Sequence, residues 1–309
     1  MTDITIPGQV PSLPSRPPPL MTTVMTPASQ TKGVRVDVDV LYLDDIPKAM
    51  DKMGWTVSAQ LMRRWFATRP AYVMPSSIRG GITTGHNPIN YELLPKSQVE
   101  DQIVKMNWLL EYESALQTFE ELCQGWNTPS GILKLHERLT RMGWSSGKSI
   151  KLGSKKMTAL QLDVSAQVNR RIFGEYSDVF DDLYGAIFKA TMKLASVGKA
   201  ARSWISKRDV FEIDSMGIYI RDTYDFNVEG YADQLYGLGI WSRERLLTKR
   251  ETLIFKSSTV FINSLAFPGF VSVKNSDFSR WQKQRNEGWD FFLFSDVKWV
   301  TPNVEYVVL

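Results

Sequence analysis

The stretch best suited to chemistry is Asp222-Thr223-Tyr224-Asp225-Phe226-Asn227, which sets two carboxyl groups and a phenol within four residues. It follows a segment in which Phe211, Ile213 and Tyr219 alternate with Glu212, Asp214 and Ile218, the period of a strand. On a strand continuing to Asp222, that carboxyl shares a face with Ile218 and Ile220, and so does Tyr224, while a turn reorients Asp225. One acid can then hold a cation or the attacking water and the other can act as general base, with Tyr224 as a positioning hydroxyl. The alternative is an Asp-Tyr turn whose polar groups satisfy backbone donors.

Other reactive residue types are sparse. Asp178, Asp181 and Asp182 form either a solvated turn or part of a divalent-cation site. Gly143-Trp144-Ser145-Ser146-Gly147-Lys148 has the composition of a phosphate loop, but only three residues separate its glycines and it follows a helix, so Gly143 reads as a helix stop. His136 falls on an apolar helical stripe and is expected to be partly buried, and His86 belongs to a surface loop. Two histidines and the single Cys123, read as a small core residue, leave no ordinary zinc site and no internal disulfide. Asn275 with Arg280, or Ser295-Asp296, can rim a pocket or make structural turns.

The elements that must position these groups divide along the chain. Residues 34–173 read as helical. Asp45 caps a helix closed by Gly54, and Val57, Leu61, Met62, Trp65 and Phe66 repeat at helical spacing up to Pro70. A capping-box pair, Ser97 and Glu100, opens a long amphipathic helix to Cys123. Thr128-Pro129 opens another, and Thr158 to Arg171 a fifth. In residues 174–309 the period shortens. Strands are expected over 188–194, 211–222, 253–262, 270–273, 291–299 and 304–309. Helices followed by strands predict an α+β fold, an N-terminal helical part and then a mostly antiparallel β-sheet or open barrel.

The 309 residues are 43% hydrophobic and 23% charged, which excludes collagen, disulfide scaffolds and disorder throughout. A net charge of +4 with no long basic run does not point to nucleic acid. Seven of the fifteen prolines lie in the first thirty residues, so 1–33 reads as a disordered, polyproline-leaning leader. Neither a secretory signal nor a transmembrane segment is recognisable, and the expected place of synthesis is the cytoplasm.

Met53-Gly54-Trp55, Arg64-Trp65-Phe66, Gln167-Val168-Asn169-Arg170, Asp181-Asp182-Leu183-Tyr184-Gly185-Ala186, Arg221 to Asn227, Leu238-Gly239-Ile240-Trp241 and Phe294-Ser295-Asp296-Val297 together resemble a proteobacterial domain family associated with type VI secretion loci and antibacterial effectors. The likeness covers about residues 36–307. Asp222-Thr223-Tyr224-Asp225-Phe226 is also similar to the Asp-x-Tyr-Asp signature of colicin M type bacteriocins. These cleave the lipid-linked peptidoglycan precursor beside its pyrophosphate and need a divalent cation. The His-Arg pair that follows in that family is missing, because no histidine occurs after His136. The carry-over therefore reaches Asp222, Tyr224 and Asp225 alone.

These resemblances imply an effector released into the envelope of a target cell, with magnesium as cofactor and a membrane-lipid substrate. Its partners would be a cognate immunity protein and a secretion spike or adaptor. A non-catalytic adaptor that binds a spike component or another effector is the competing expectation.

Overall fold

Two long strands and the turn between them organise the sheet. The computed structural model describes residues 40–79, 89–175, 178–226 and 237–309. The Pro-rich leader, His86 and Asn227 lie outside the described residues. Ten strands are present among the described residues: β1 (Val99–Glu100), β2 (Ile150–Leu152), β3 (Gln167–Phe173), β4 (Ala190–Arg202), β5 (Asp209–Tyr224), β6 (Gly239–Trp241), β7 (Val271–Val273), β8 (Phe291–Phe294), β9 (Lys298–Val300) and β10 (Tyr306–Val308). The helices are α1 (Ile46–Lys52), α2 (Thr56–Ala67), α3 (Ser76–Arg79), α4 (Met106–Leu109), α5 (Glu113–Gln124) and α6 (Pro129–Arg141). They continue with α7 (Ala159–Ser165), α8 (Asp182–Ala186), α9 (Lys249–Ser257), α10 (Val260–Ala266) and α11 (Asn275–Arg285).

β4 and β5 pair antiparallel from Thr191 opposite Arg221 to Arg202 opposite Asp209, with a register shift at Val197/Gly198. Glycine is required at that bulge, since a Cβ on Gly198 would lie 2.0 Å from the carbonyl oxygen of Glu212. The far edge of β5 is covered in succession by β10, β9 and β8, and the far edge of β4 by β2 and β3. β1 adds to β8 in the sheet's parallel pairing, and β6 and β7 form a separate two-stranded sheet. The main sheet curls into a half-barrel, and the class is α+β with a helical N-terminal region.

β1, β2 and β3 precede Gly174, so the region expected to be helical also supplies three strands. Apolar side chains from both halves meet in one core, where Trp65 of α2 makes edge-on contacts with Phe226 and Phe278.

Four expected elements differ, one of them the strand expected over 291–299, which is β8 and β9 on either side of residues 295–297. The single helix from Ser97 to Cys123 is instead β1, α4 and α5. Glu100 is not a capping-box partner of Ser97: its carboxylate accepts from Arg64 Nε at 2.5 Å and from the N–H groups of Gln102 and Ile103, while β1 pairs with Phe292 and Leu293. The fifth helix stops at Ser165, and residues from Gln167 onward turn into β3 against β4. The strand expected over 253–262 is the helical pair α9 and α10. Thr248 and Glu251 form a reciprocal capping box, and Thr259 accepts from Ile262 N–H at 3.3 Å, so two local helix starts prevail over the β-branched composition.

Candidate functional site

β5 does continue past Ile220. It pairs with β8 through Asp222 opposite Leu293 and Tyr224 opposite Phe291, so Asp222 and Tyr224 fall on the Ile218 and Ile220 face. Just beyond the strand end, Asp225 turns toward the same space. Asp222, Tyr224 and Asp225 all line a cavity of about 410 Å³. Its other walls are mostly apolar: Ile46 and Met50 of α1, Trp55, Met62 of α2, the segment from Tyr184 to Phe188, Leu238, Trp241, Leu246, Val273 and Phe278. Asn275 adds an amide.

The three groups are electrostatically unlike. Burial pushes the Asp222 carboxyl up to about 8; the Thr223 N–H and the Arg221 guanidinium pull it down, and the negative charge of Asp225 adds to the rise. Asp222 therefore holds its proton at neutral pH. Asp225 has the Arg79 Nε 4.0 Å away. The Arg79 carbonyl in turn accepts from Arg221 Nη2 at 2.5 Å, which ties the end of α3 to β5. The Tyr224 ring is buried and stacks on Phe291 at 5.1 Å, and burial raises its phenol well above the usual range. A neutral acid beside a carboxylate held by a guanidinium is the division of roles that acid-base catalysis needs.

A magnesium ion fits these residues poorly. Among the described residues no three His, Cys, Asp or Glu side chains form a group able to hold a metal. Asp222 and Asp225 supply too few oxygens for a magnesium shell by themselves, and Arg79 faces one of them, so ligand or water oxygens would have to complete it.

The remaining candidates resolve into structural roles. The acids near residue 180 accept backbone donors. Asp182 receives Val57 N–H at 2.9 Å and Ser58 N–H at 2.8 Å at the start of α2, Asp181 caps α8 through Tyr184 N–H, and Asp178 receives Glu175 N–H. Gly143 closes α6 with a φ of 88°, as expected. The loop after it does bind an anion, but an internal one: Ser146 Oγ and Gly147 N–H donate to the Asp209 carboxylate. His136 is exposed, edge-on to Trp144 at 5.2 Å, and does not join the apolar stripe of α6. Cys123 is half-buried, and burial lifts its thiol to about 11, which suits the core reading. Ser295 accepts Ile220 N–H and Asp296 accepts Met106 N–H at the start of α4, so that pair is structural, in the link between β8 and β9. Asn275 reaches the cavity wall, whereas Arg280 is exposed and lies 3.8 Å from Asp277.

A buried polar cluster escaped sequence reasoning. On the opposite face of β4 and β5, Asp163 Oδ1 accepts from Lys193 Nζ at 2.7 Å and from the Tyr219 hydroxyl at 2.9 Å. Arg138 donates to the carbonyls of Asp163, Val164 and Gln167 beside it. Burial lowers Lys193 to about 8 and drives the Tyr219 phenol well up. Alternation predicts a solvated face at Lys193, but α7 covers it. The available signal was Asp163 set between Leu162 and Val164 in a short helix.

The described helices include none long and apolar enough to cross a membrane. No curated protein and no solved structure matches the chain. Residues 41–309 match a family of unknown function, DUF6402, and the chain belongs to that family.

Proposed function

We propose, starting from a family to which no activity is attached, that the protein is an antibacterial effector that hydrolyses a phosphate ester or pyrophosphate borne on an apolar chain. The observation that carries this reading is the pairing of Asp222 and Asp225 on the wall of an otherwise mainly apolar cavity. Such walls suit the prenyl or acyl part of an amphiphile, and the carboxyl groups meet its polar junction.

The protonated Asp222 brings no negative charge against a phosphate. It donates its proton to the bridging oxygen as the phosphorus–oxygen bond breaks, and the chain leaves as an alcohol. Asp225 takes a proton from the water that forms the new bond to phosphorus. The Arg79 guanidinium, 4.0 Å from Asp225, offsets negative charge on the phosphate. Proton exchange with water then returns both carboxyl groups to their starting states. The buried Tyr224 phenol, fixed against Phe291, stays protonated and can orient an oxygen of the ligand. Delivery by a contractile secretion system, a protective immunity partner and a spike or adaptor contact complete the proposal on the strength of the resemblances.

The test is release of phosphate or pyrophosphate from prenyl-linked substrates, alongside growth of a susceptible bacterium expressing the protein in its periplasm. Asp222→Asn and Asp225→Asn should each lower turnover by about a hundredfold or more and abolish toxicity. Turnover should persist in EDTA. Full toxicity in both variants sinks the proposal, and complete loss of turnover in EDTA restores magnesium to it.

A further inference from the structure

Between β6 and β7 the chain leaves the sheet as the helical pair α9 and α10, and no residue from 248 to 270 is buried. The two helices face each other through a small internal contact. Asn263 Nδ2 donates to the Phe255 carbonyl at 2.8 Å, and the Phe255 and Phe267 rings lie 5.8 Å apart. This leaves Leu253, Val260, Phe261 and Leu265 at 70, 75, 63 and 58% exposure, with Ile254 and Ile262 about half exposed. Water-facing apolar side chains at this density are uncommon on a monomeric soluble surface and mark something that covers them.

Charge on the hairpin selects the occupant. Lys249, Arg250 and Lys256 face a single acid, Glu251, and that carboxylate is already bonded to both Nη atoms of Arg245 at 2.7 Å. Lys249 lies over the Phe180 ring at the base of the hairpin, and Arg250 and Lys256 are exposed. Helices of nine and seven residues are about 13 and 10 Å long, too short to span a bilayer but matched to its interfacial depth. We propose that the α9–α10 hairpin docks on an anionic lipid bilayer, with Leu253, Val260, Phe261, Ile262 and Leu265 entering the acyl boundary and the basic residues at headgroup level. The hairpin is rooted on β6 and β7, whose Trp241 and Val273 wall the cavity. Supply of an amphiphilic substrate from the bilayer to that cavity rests on the proposed hydrolase reading; docking itself does not.

Flotation of the full-length protein with phosphatidylcholine vesicles, with and without phosphatidylglycerol, tests the assignment. The protein should float with the anionic vesicles and progressively less as salt rises. Phe261→Ser combined with Ile262→Ser should weaken binding by about tenfold or more, since each buried side chain of this size is worth at least that factor. Both positions are exposed, so unchanged far-ultraviolet circular dichroism is expected of this variant. Phe261→Trp should show blue-shifted emission and quenching by brominated lipid. Asp222→Asn should float like the wild type, which separates loss of docking from loss of hydrolysis. Failure to float with either vesicle overturns the proposal, as does flotation unaffected by the paired serine substitution. A dimer in light scattering that the serine variant dissociates, without vesicle binding, would make the hairpin a self-association face instead.

Discussion

Asp222→Asn isolates the cost of keeping a carboxyl group in the cavity. An unfolded aspartate titrates near 4, whereas burial raises Asp222 in the folded protein to about 8. Between those values the folded state binds more protons than the unfolded state, so this group's contribution to stability falls as pH rises. It is fully present below about pH 4 and lost as pH passes about 8, at a slope of at most about 1.4 kcal/mol per pH unit. Because Asp222 touches the cavity space, water softens the penalty, and about 2–5 kcal/mol over the whole window is the expected range. Asparagine has nearly the same shape and does not ionise. Urea unfolding followed by tryptophan fluorescence, repeated from about pH 5 to about pH 9, gives the difference between variant and wild type while other titrations largely cancel. That difference should move steadily in favour of Asn as pH rises and level off above about 8. Parallel stability curves would refute the raised carboxyl, and with it the role of Asp222 as proton donor.

Two further predictions concern the scaffold. Lys193→Met leaves Asp163 buried with its cation removed and should cost about 3–5 kcal/mol in the same unfolding assay, much of which a second change, Asp163→Leu, should return; a small single-mutant effect would mean that water reaches the cluster. Asp182→Ala removes the distant carboxylate that caps α2 and should cost about 1–2 kcal/mol, with faster hydrogen exchange at Val57 and Ser58; unchanged protection there would show that the cap is dispensable.

The alternation up to Ile220 was enough to put Asp222 and Tyr224 on one face of a strand, because successive strand side chains point to opposite faces, although β5 is buried on both faces from Ser215 to Arg221. The cavity itself was not legible. Its walls come from α1, α2, α8 and the residues just after it, β6, β7 and α11, and no local pattern says that these converge. Arg79, which stands 4.0 Å from Asp225, is remote from it in sequence. The errors share a cause. Glu100 looked like a helix-capping residue but was recruited by Arg64 and β8, and Lys193 looked solvated but was covered by α7. In both cases a tertiary partner overrode a valid local signal. At α9 the local signal holds: Thr248 and Glu251 form a capping box that marks a helix start just before the stretch expected as a strand.

β5 links the two polar regions through its two faces. Tyr219 and Arg221 point to one side, where Tyr219 is bonded to Asp163 and Arg221 lies between the Tyr91 and Phe292 rings and the Arg79 carbonyl. Asp222 and Tyr224 point to the other, into the cavity. A one-residue slip of β5 would exchange these sets, bringing Ile218 or Ile220 in place of Tyr219 beside the Asp163 carboxylate and Arg221 among apolar walls, and both placements are costly. The Asp163, Lys193 and Tyr219 cluster therefore does more than satisfy buried groups. It penalises the wrong register, and by doing so it holds the Asp222 carboxyl on the cavity side, at the place where burial raises it.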